Sequence, residues 1–181
     1  MTPTFTCFDT ESSDLNGSFG HIFCAGFSDV GSDYVDMLRL DNPEYRGENL
    51  SDDSKLVKAI KEKMEKSFAW VSWYGKMHDV PLINARLAKA GVDPLVKRIH
   101  VDALYYFRRP FMALHSARLE AVAQTFGFKH QKTKLDPNTW VAAYELKEDA
   151  MNEVCEHCKE DVLALKEAFM MAVPHLTVLH R

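Results

Sequence analysis

The order of apolar segments along the chain predicts an α/β fold, with a central mixed five-stranded sheet flanked by helices. The chain opens with short β-prone runs separated by turn residues, which is typical of a strand meander. Its middle part alternates short apolar runs with segments of helical periodicity. From about Ser116 onward the pattern is helical. Strands followed by alternating strands and helices indicate one mixed sheet.

Five segments carry strand signals. The turn residues Asp29–Ser32 separate the second from the third, so the first three strands are expected to form an antiparallel meander. The fourth and fifth segments are short apolar runs that fit buried strands. The predicted strands are Thr4–Thr10, Gly20–Asp29, Asp33–Leu40, Phe68–Trp73 and Ile99–Asp102.

The helical segments have recognisable start and stop signals. Ser51 is the expected N-cap of the first helix, with acids in its first turn and lysines later. Pro81 near the start and Gly91 past the end punctuate the second helix. The last helix carries a core-facing stripe of Met151, Val154, Cys158, Val162, Leu165 and Phe169. The predicted helices are Asp52–Lys66, a segment through Pro81 to Gly91, Ala117–Phe126, Asn138–Glu148 and Asp149–Ala172.

Length and composition indicate an ordinary globular chain. The 181 residues, 46% hydrophobic and 27% charged, are expected to form a single domain over residues 1–181. No apolar run approaches the roughly 20 residues that span a bilayer, and the N-terminus lacks the pattern of a signal peptide. Four cysteines without such a signal indicate reduced thiols, and therefore a cytoplasmic protein with no membrane partner.

Charge is unevenly distributed. The net charge is −4, so the chain as a whole is not a basic nucleic-acid binder. Ten basic and only three acidic residues lie between Arg86 and Lys134, however. A basic central segment in an acidic protein fits a substrate groove with local positive potential, although a plain solvated face has the same signature.

Two carboxylates close together carry the strongest chemical signal. Asp9 and Glu11 lie two residues apart at the end of the first strand, so both side chains point to one face of the sheet. Like charges held this close repel each other unless a cation neutralises them. Hard divalent cations such as Mg²⁺ are often held by one or two carboxylates plus substrate phosphates. The pair therefore indicates a metal site for phosphate chemistry.

Further acids and thiols could belong to such a site. Asp79 follows the fourth strand, and His157 and Asp161 lie four residues apart on one face of the last helix. Asp102 is expected to cap a helix starting near Ala103 rather than to bind metal. The pair Cys155 and Cys158 has the spacing of half a zinc site, but no second pair accompanies it.

The acids, taken in chain order, resemble the three motifs of the DEDD 3′–5′ exonucleases, which have the ribonuclease H-like fold. Asp9-x-Glu11 resembles the first motif, Asp79 with Pro81 the second, and His157-x-x-x-Asp161 the third. The closest likeness is to stand-alone exonucleases related to polymerase proofreading domains and to the YprB-like ribonuclease H group. Tyr74-Gly75 and His78 depart from the second motif, where an Asn and a Phe are common.

The resemblance implies catalysis by two divalent ions, Mg²⁺ or Mn²⁺. Asp9 would bridge both ions, Glu11 and Asp161 would complete the ligands of one, and Asp79 would act on the other. The two ions would clamp the scissile phosphate. His157 stands four residues before the final Asp, whereas family members with a catalytic His usually place it five residues before that Asp. His157 is nevertheless the expected general base, with His78 as the alternative.

Substrate contacts are expected around the first two motifs and in a basic aromatic run. The resemblance places the 3′-terminal nucleotide against the loop after the first motif, with Leu15 packing on its base. Tyr105–Phe111 interleaves aromatic rings with two arginines, which suits stacking on single-stranded bases, although the rings fit core packing equally well. The expected substrate-binding residues are Thr10, Ser12, Ser13, Leu15, Tyr74, His78, Arg108 and Arg109.

The expected function is hydrolysis of single-stranded DNA from its 3′ end, with release of nucleoside monophosphates. An exoribonuclease of the same fold would differ only in tolerance of a 2′-hydroxyl, and the motifs do not decide between the two. A ribonuclease H or resolvase-like endonuclease is disfavoured by the position of the second motif and by the helical third motif. A non-catalytic nucleic-acid-binding module is disfavoured because all four acids are present.

Overall fold

The computed structural model describes residues 4–131 and 133–175, and its centre is a five-stranded mixed sheet. Across the sheet the strand order is β3-β2-β1-β4-β5. Strands β1, β2 and β3 form the antiparallel meander expected from the sequence, and β4 and β5 run parallel to β1. The strands are β1 Phe5–Ser12, β2 Ile22–Asp29, β3 Asp36–Arg39, β4 Ala69–Ser72 and β5 Ile99–Asp102.

Helices cover both faces of this sheet. The α-helices are α1 Ser54–Lys66, α2 Asp79–Lys89, α3 Leu119–Phe126, α4 Pro137–Tyr144 and α5 Glu148–Ala172, and two 3₁₀ turns span Ala103–Phe107 and Val173–His175. The predicted α/β class and the mixed five-stranded sheet are therefore confirmed. Among the described residues, no helix combines the length and the apolar character needed to cross a bilayer.

Alternation along β1 assigns its side chains to the two faces. Cys7 belongs to the core beneath α5, whereas Phe8 belongs to the core beneath α1 and α2. Because successive residues of a strand face opposite sides, Asp9 and Glu11 point toward α5, and Thr10 points toward α2. Both acids therefore lie on the face of the sheet that α5 covers.

Helix α5 lies directly against the meander. All six residues of the predicted apolar stripe are buried, including Cys158 and Val162. A Cβ added at Gly26 of β2 would lie 3.1 Å from Val162 Cγ2 and 3.3 Å from Cys158 Sγ. The glycine therefore allows the close approach of α5, and with it the placement of Asp161 near the end of β1.

The predicted cap of the first helix was wrong. Helix α1 begins at Ser54 with Asp53 at its N-cap position and has no acid in its first turn, while Ser51 bonds to Asn49 in the preceding turn. Asp53 is drawn inward instead by an ion pair with Arg86. A 3₁₀ turn does begin at Ala103, and Asp102 occupies its N-cap position, as expected.

Candidate active site at the ends of the parallel strands

The predicted acids gather at one edge of the sheet, where β1, β4 and β5 end. Asp9 and Glu11 lie near the end of β1, and Asp79 is the first residue of α2, seven residues after the end of β4. Asp161 reaches the same edge from α5 and is 3% exposed. Binding sites of open α/β sheets commonly form at the carboxyl ends of strands, because the loops that follow neighbouring strands meet there.

Glu11, His157 and Asp161 form the tightest group of this site. One ligand atom from each of the three lies within 4.8 Å of the other two. The Nε2 atom of His157 is 3.6 Å from Oε1 of Glu11, and its Nδ1 atom is 2.6 Å from the hydroxyl of Thr133. Carboxylate oxygens and an imidazole nitrogen converging at this range form a donor set that fits a divalent cation.

Asp79 is joined to the first motif through Thr10. The Thr10 hydroxyl and backbone N–H donate to Oδ1 of Asp79 at 2.6 and 3.2 Å. Burial raises the pKa of Asp79, and the hydrogen bonds from Thr10 act in the opposite direction. Asp79 is therefore bonded to the residue that separates the two acids of the first motif, and all three acids line one cavity.

The loop between β4 and α2 is fixed by side chains from neighbouring strands. Asp102 accepts hydrogen bonds from the backbone N–H groups of Tyr74 and Lys76 at 2.8 and 3.3 Å. Ser72 Oγ accepts from the N–H of Gly75 at 3.2 Å and contacts His100 Nε2 at 2.7 Å. Burial lowers the pKa of His100 to about 4, so this imidazole is neutral near pH 7.

Tyr74 itself has a backbone conformation rarely seen in bulky residues. Its φ of 65° lies in the left-handed region, which costs a non-glycine residue about 1–3 kcal/mol. Its ring lies edge-on to His78, with ring centroids 4.6 Å apart. The two hydrogen bonds to Asp102 hold this conformation and so fix the approach to Asp79.

Two cavities border the acids and share Asp9 and Asp161. The smaller, of about 260 Å³, is lined also by Thr10, Glu11, Ser12, Leu15, His78, Asp79 and Leu82. The larger, of about 640 Å³, is lined also by Trp73, Tyr74, Leu104, Arg108, Ala117, Arg118, Leu119 and Glu120. The shared acids therefore stand between a small pocket and a wider cleft.

These cavities include most of the predicted substrate-binding residues. Thr10, Ser12, Leu15 and His78 line the small pocket, whereas Tyr74 and Arg108 line the wide cleft.

Two predicted substrate contacts lie outside both cavities. Ser13 Oγ accepts a hydrogen bond from the backbone N–H of His21 at 2.9 Å and helps to close the loop after β1. Arg109 is exposed and lines neither cavity.

The aromatic run divides between core and cleft. Tyr106 and Phe107 are buried in the core beneath α5, so these two rings follow the core-packing alternative and not the base-stacking one. The guanidinium of Arg108 lies 4.0 Å from the ring centroid of Tyr105, in a cation–π contact at the cleft.

Sequence reasoning missed Trp73 as a cleft residue and did not single out Arg118 within the basic segment. Trp73 was expected to end a buried strand; it packs on Phe107 at 5.3 Å between ring centroids and also lines the wide cleft. Arg118 lies directly before α3 and lines the same cleft. The position of Trp73 in the sequence could have indicated its place in the site, because it comes directly after the end of β4, at the edge where the acids meet.

The basic segment contributes to the site only in part. Arg108 and Arg118 line the wide cleft. Arg86 is buried, and its Nη2 lies 2.6 Å from Oδ1 of Asp53. Lys97 and Arg98 precede β5 and therefore lie at the opposite edge of the sheet.

The four cysteines are free thiols buried in the core. Burial raises the pKa of the Cys7 thiol to about 12, which makes it a poor nucleophile at neutral pH. Cys24 lies within hydrogen-bonding reach of both Cys155 and Cys158. The metal-type group found among the described residues is nevertheless the one of Glu11, His157 and Asp161, and it contains no thiol.

Fold and site together define an α/β protein with a carboxylate–histidine centre of the kind that holds divalent metal ions. The family model of the RNase H superfamily matches residues 6–172. The chain belongs to this superfamily, as the three motifs predicted, and its membership supports a nuclease function.

A solved structure shares the fold. The family B DNA polymerase from the hyperthermophilic archaeon Pyrobaculum calidifontis is similar to this chain with a TM-score of 0.71 and 16% sequence identity. The similarity covers 97% of this chain and 25% of the polymerase chain, so the chain spans about a quarter of that structure. No curated protein sequence matches the chain.

Proposed function

We propose that the protein is a metal-dependent 3′–5′ exonuclease that releases nucleoside monophosphates from single-stranded DNA. The observation that carries this proposal is the position of Asp9 and Asp161, which line both the small pocket and the wide cleft. A strand lying across these acids would place one terminal nucleotide in the pocket and the rest of the chain in the cleft. Cleavage between the two would remove one nucleotide at a time.

The acids supply the metal ligands in this proposal. Asp9, Glu11, Asp79 and Asp161 would hold two Mg²⁺ or Mn²⁺ ions, because oxygen donors from separate elements converge here. When bound, the ions supply Lewis acidity to the scissile phosphate and acidify the attacking water. Thr10 keeps the Asp79 carboxylate turned toward the site through its two hydrogen bonds.

The small pocket would hold the terminal nucleotide. Leu15 is 69% exposed, so its side chain is free to pack on a base. Ser12 and the backbone around it offer hydrogen-bonding groups to the terminal hydroxyl. His78 lies at the start of α2 and closes the side of the pocket next to Asp79.

The wide cleft would hold the preceding nucleotides. Trp73 and Tyr74 provide ring surfaces for base stacking, which is worth about 1–3 kcal/mol per base. Arg108 and Arg118 provide positive charge for backbone phosphates. The structural neighbour is a DNA polymerase, which supports DNA as the substrate.

The test uses 5′-labelled single-stranded DNA with Mg²⁺, Mn²⁺ or EDTA, and a circular strand of the same composition. We expect a metal-dependent ladder that shortens from the 3′ end and an intact circle. Asp9→Asn should abolish the ladder, whereas the exposed control Asp93→Asn should not. Cutting of the circle would indicate an endonuclease. Faster shortening of an RNA strand of the same sequence would indicate an exoribonuclease, and binding without cleavage would indicate a non-catalytic module. Each of these results would overturn the proposal.

A further inference from the structure

His157 has a polar neighbour at each of its ring nitrogens inside the site. It is 6% exposed, with Nδ1 2.6 Å from the Thr133 hydroxyl and Nε2 3.6 Å from Oε1 of Glu11. A general base must come within hydrogen-bonding reach of the water whose proton it takes. The Nε2 atom of His157 instead faces a carboxylate oxygen.

The position of His157 on α5 suits one of a pair of metal ligands, the other being Asp161. His157 and Asp161 are four residues apart, so their side chains lie on the same face of the helix, one turn apart. This spacing lets one helix offer two ligands to one ion, as in the His-Glu-x-x-His zinc helix. Glu11 meets the pair from β1, so that two separate elements supply the three donors.

The distances fit one shared ion. Transition metals hold oxygen and nitrogen ligands at about 2.0–2.2 Å, so two ligands of one ion are separated by at most about 4.3 Å. The 3.6 Å between Glu11 Oε1 and His157 Nε2 lies inside this limit. The three donors all lie within 4.8 Å of one another, so small side-chain rotations bring them around one centre.

The contact with Thr133 is compatible with the tautomer that a ligand needs. Its oxygen can accept the Nδ1–H of His157, which leaves the lone pair on Nε2 pointing toward Glu11 and Asp161. Histidines that bind metals commonly donate their other N–H in this way, and the partner fixes the orientation of the ring.

We propose that His157 is a metal ligand through Nε2, and that Glu11, His157 and Asp161 form a mixed oxygen–nitrogen site. This inference rests on the proposed function, because the ion is one of the two assigned to catalysis. An imidazole nitrogen is a better ligand for transition-metal ions than for Mg²⁺, which prefers oxygen ligands and retains several waters. The site is therefore selective for Mn²⁺ over Mg²⁺. A nitrogen bonded to metal accepts no proton, so His157 is not the general base.

Mn²⁺ binding to the metal-free protein tests the assignment without any measurement of activity. Electron paramagnetic resonance counts bound Mn²⁺, and electron spin-echo modulation detects ¹⁴N bonded to it. We expect ¹⁴N modulation in the wild type and none in His157→Ala, with Mn²⁺ affinity about 10–100-fold lower in the variant and Mg²⁺ affinity little changed. Thr133→Val, which keeps the imidazole, should weaken Mn²⁺ binding while retaining the modulation.

His130→Ala is the matched control. His130 contacts Glu160 of the same helix at 3.0 Å but lies outside the three-donor group, so its removal should leave Mn²⁺ binding unchanged. Thermal unfolding in EDTA verifies that each variant is folded. Absence of ¹⁴N modulation in the wild type, or unchanged Mn²⁺ affinity in a folded His157→Ala, would overturn the assignment. If the strand-shortening assay is positive, either result overturns only the assignment of His157 and not the exonuclease proposal. If that assay is negative, the Mn²⁺ binding measurement still tests the assignment of His157.

Discussion

Thr10 donates both its hydroxyl and its backbone N–H to the same carboxylate oxygen of Asp79, at 2.6 and 3.2 Å. Thr10 stands between Asp9 and Glu11 on β1, whereas Asp79 begins α2. The bonds therefore align two acidic motifs that are 69 residues apart in the chain. This placement buries Asp79, and burial raises the pKa of its carboxyl group.

The raised pKa predicts that Asp79 destabilises the metal-free protein at neutral pH. A carboxyl group whose folded pKa exceeds its ordinary value of 3.8 favours folding below that value, and this contribution is lost as the pH rises through the folded pKa. Asp79→Asn removes the ionisation but keeps an oxygen acceptor for Thr10. In EDTA near pH 7 the variant should melt higher than the wild type, by about 2–4 °C for each kcal/mol gained.

Thermal melting in EDTA between about pH 4 and pH 8 checks this prediction, since the gain should shrink toward the acid end. Thr10→Val removes one hydrogen bond that lowers the Asp79 pKa, so the fall in stability should move to higher pH in that variant. Asp93→Asn, on the surface, serves as control. A melting temperature of Asp79→Asn at or below the wild-type value throughout this range would contradict the assigned cause.

Gly75→Ala should damage the site without replacing any of the proposed metal ligands. A Cβ at this position would lie 2.5 Å from Ser72 Oγ and 3.1 Å from Asp79 Oδ2, so the loop and the carboxylate would have to move. We expect a stability loss of about 1–3 kcal/mol, as for overpacked positions, together with a large fall in metal-dependent nuclease activity. Urea unfolding and the strand-shortening assay measure the two effects separately.

Gly91→Ala provides the comparison. Gly91 has a φ of 68° after α2, and a Cβ there would meet no atom within 4 Å. The variant should lose about 1–2 kcal/mol from backbone strain while retaining activity. Equal activity in the two alanine variants would show that the loop tolerates displacement of Asp79.

The parts of this structure that could be predicted are those encoded locally. Strand alternation placed Asp9 and Glu11 on one face, and helical spacing placed His157 one turn from Asp161. The contacts that were missed join residues whose pairing depends on the packing of whole elements. Asp53 was expected to lie in the first turn of α1, but its pairing with Arg86 of α2 appears only once both helices lie on the sheet.

Loop contacts were unpredictable for the same reason. Nothing near Asp102 in sequence indicates that its carboxylate also accepts hydrogen bonds from Tyr74 and Lys76, so the local pattern predicted only its cap position. Thr133 likewise reaches His157 from a segment without regular structure. Side chains that fix loops therefore form the part of the site for which the three-dimensional fold was needed.

The Arg86–Asp53 pair should be a major determinant of stability. Arg86 Nε lies 2.9 Å from Asp53 Oδ2, which also accepts from the backbone N–H of Ile22 at 2.9 Å, and both side chains are buried. Arg86→Met leaves a buried carboxylate without its cation, which typically costs about 3–5 kcal/mol. Lys159→Ala breaks an exposed pair with Glu156 and should cost less than about 1 kcal/mol. Urea unfolding distinguishes the two, and similar losses would contradict the burial argument.

Arg118→Ala should weaken single-stranded DNA binding through the loss of one phosphate contact. Arg118 lines the wide cleft together with Arg108, beside the shared acids. Each lost contact should reduce the slope of log affinity against log salt by about 0.7 on a single strand. Fluorescence anisotropy in EDTA at several salt concentrations, on an Asp9→Asn background, measures the slope without cleavage. Arg98→Ala at the opposite sheet edge is the control, and an equal slope in both variants would place the strand outside this cleft.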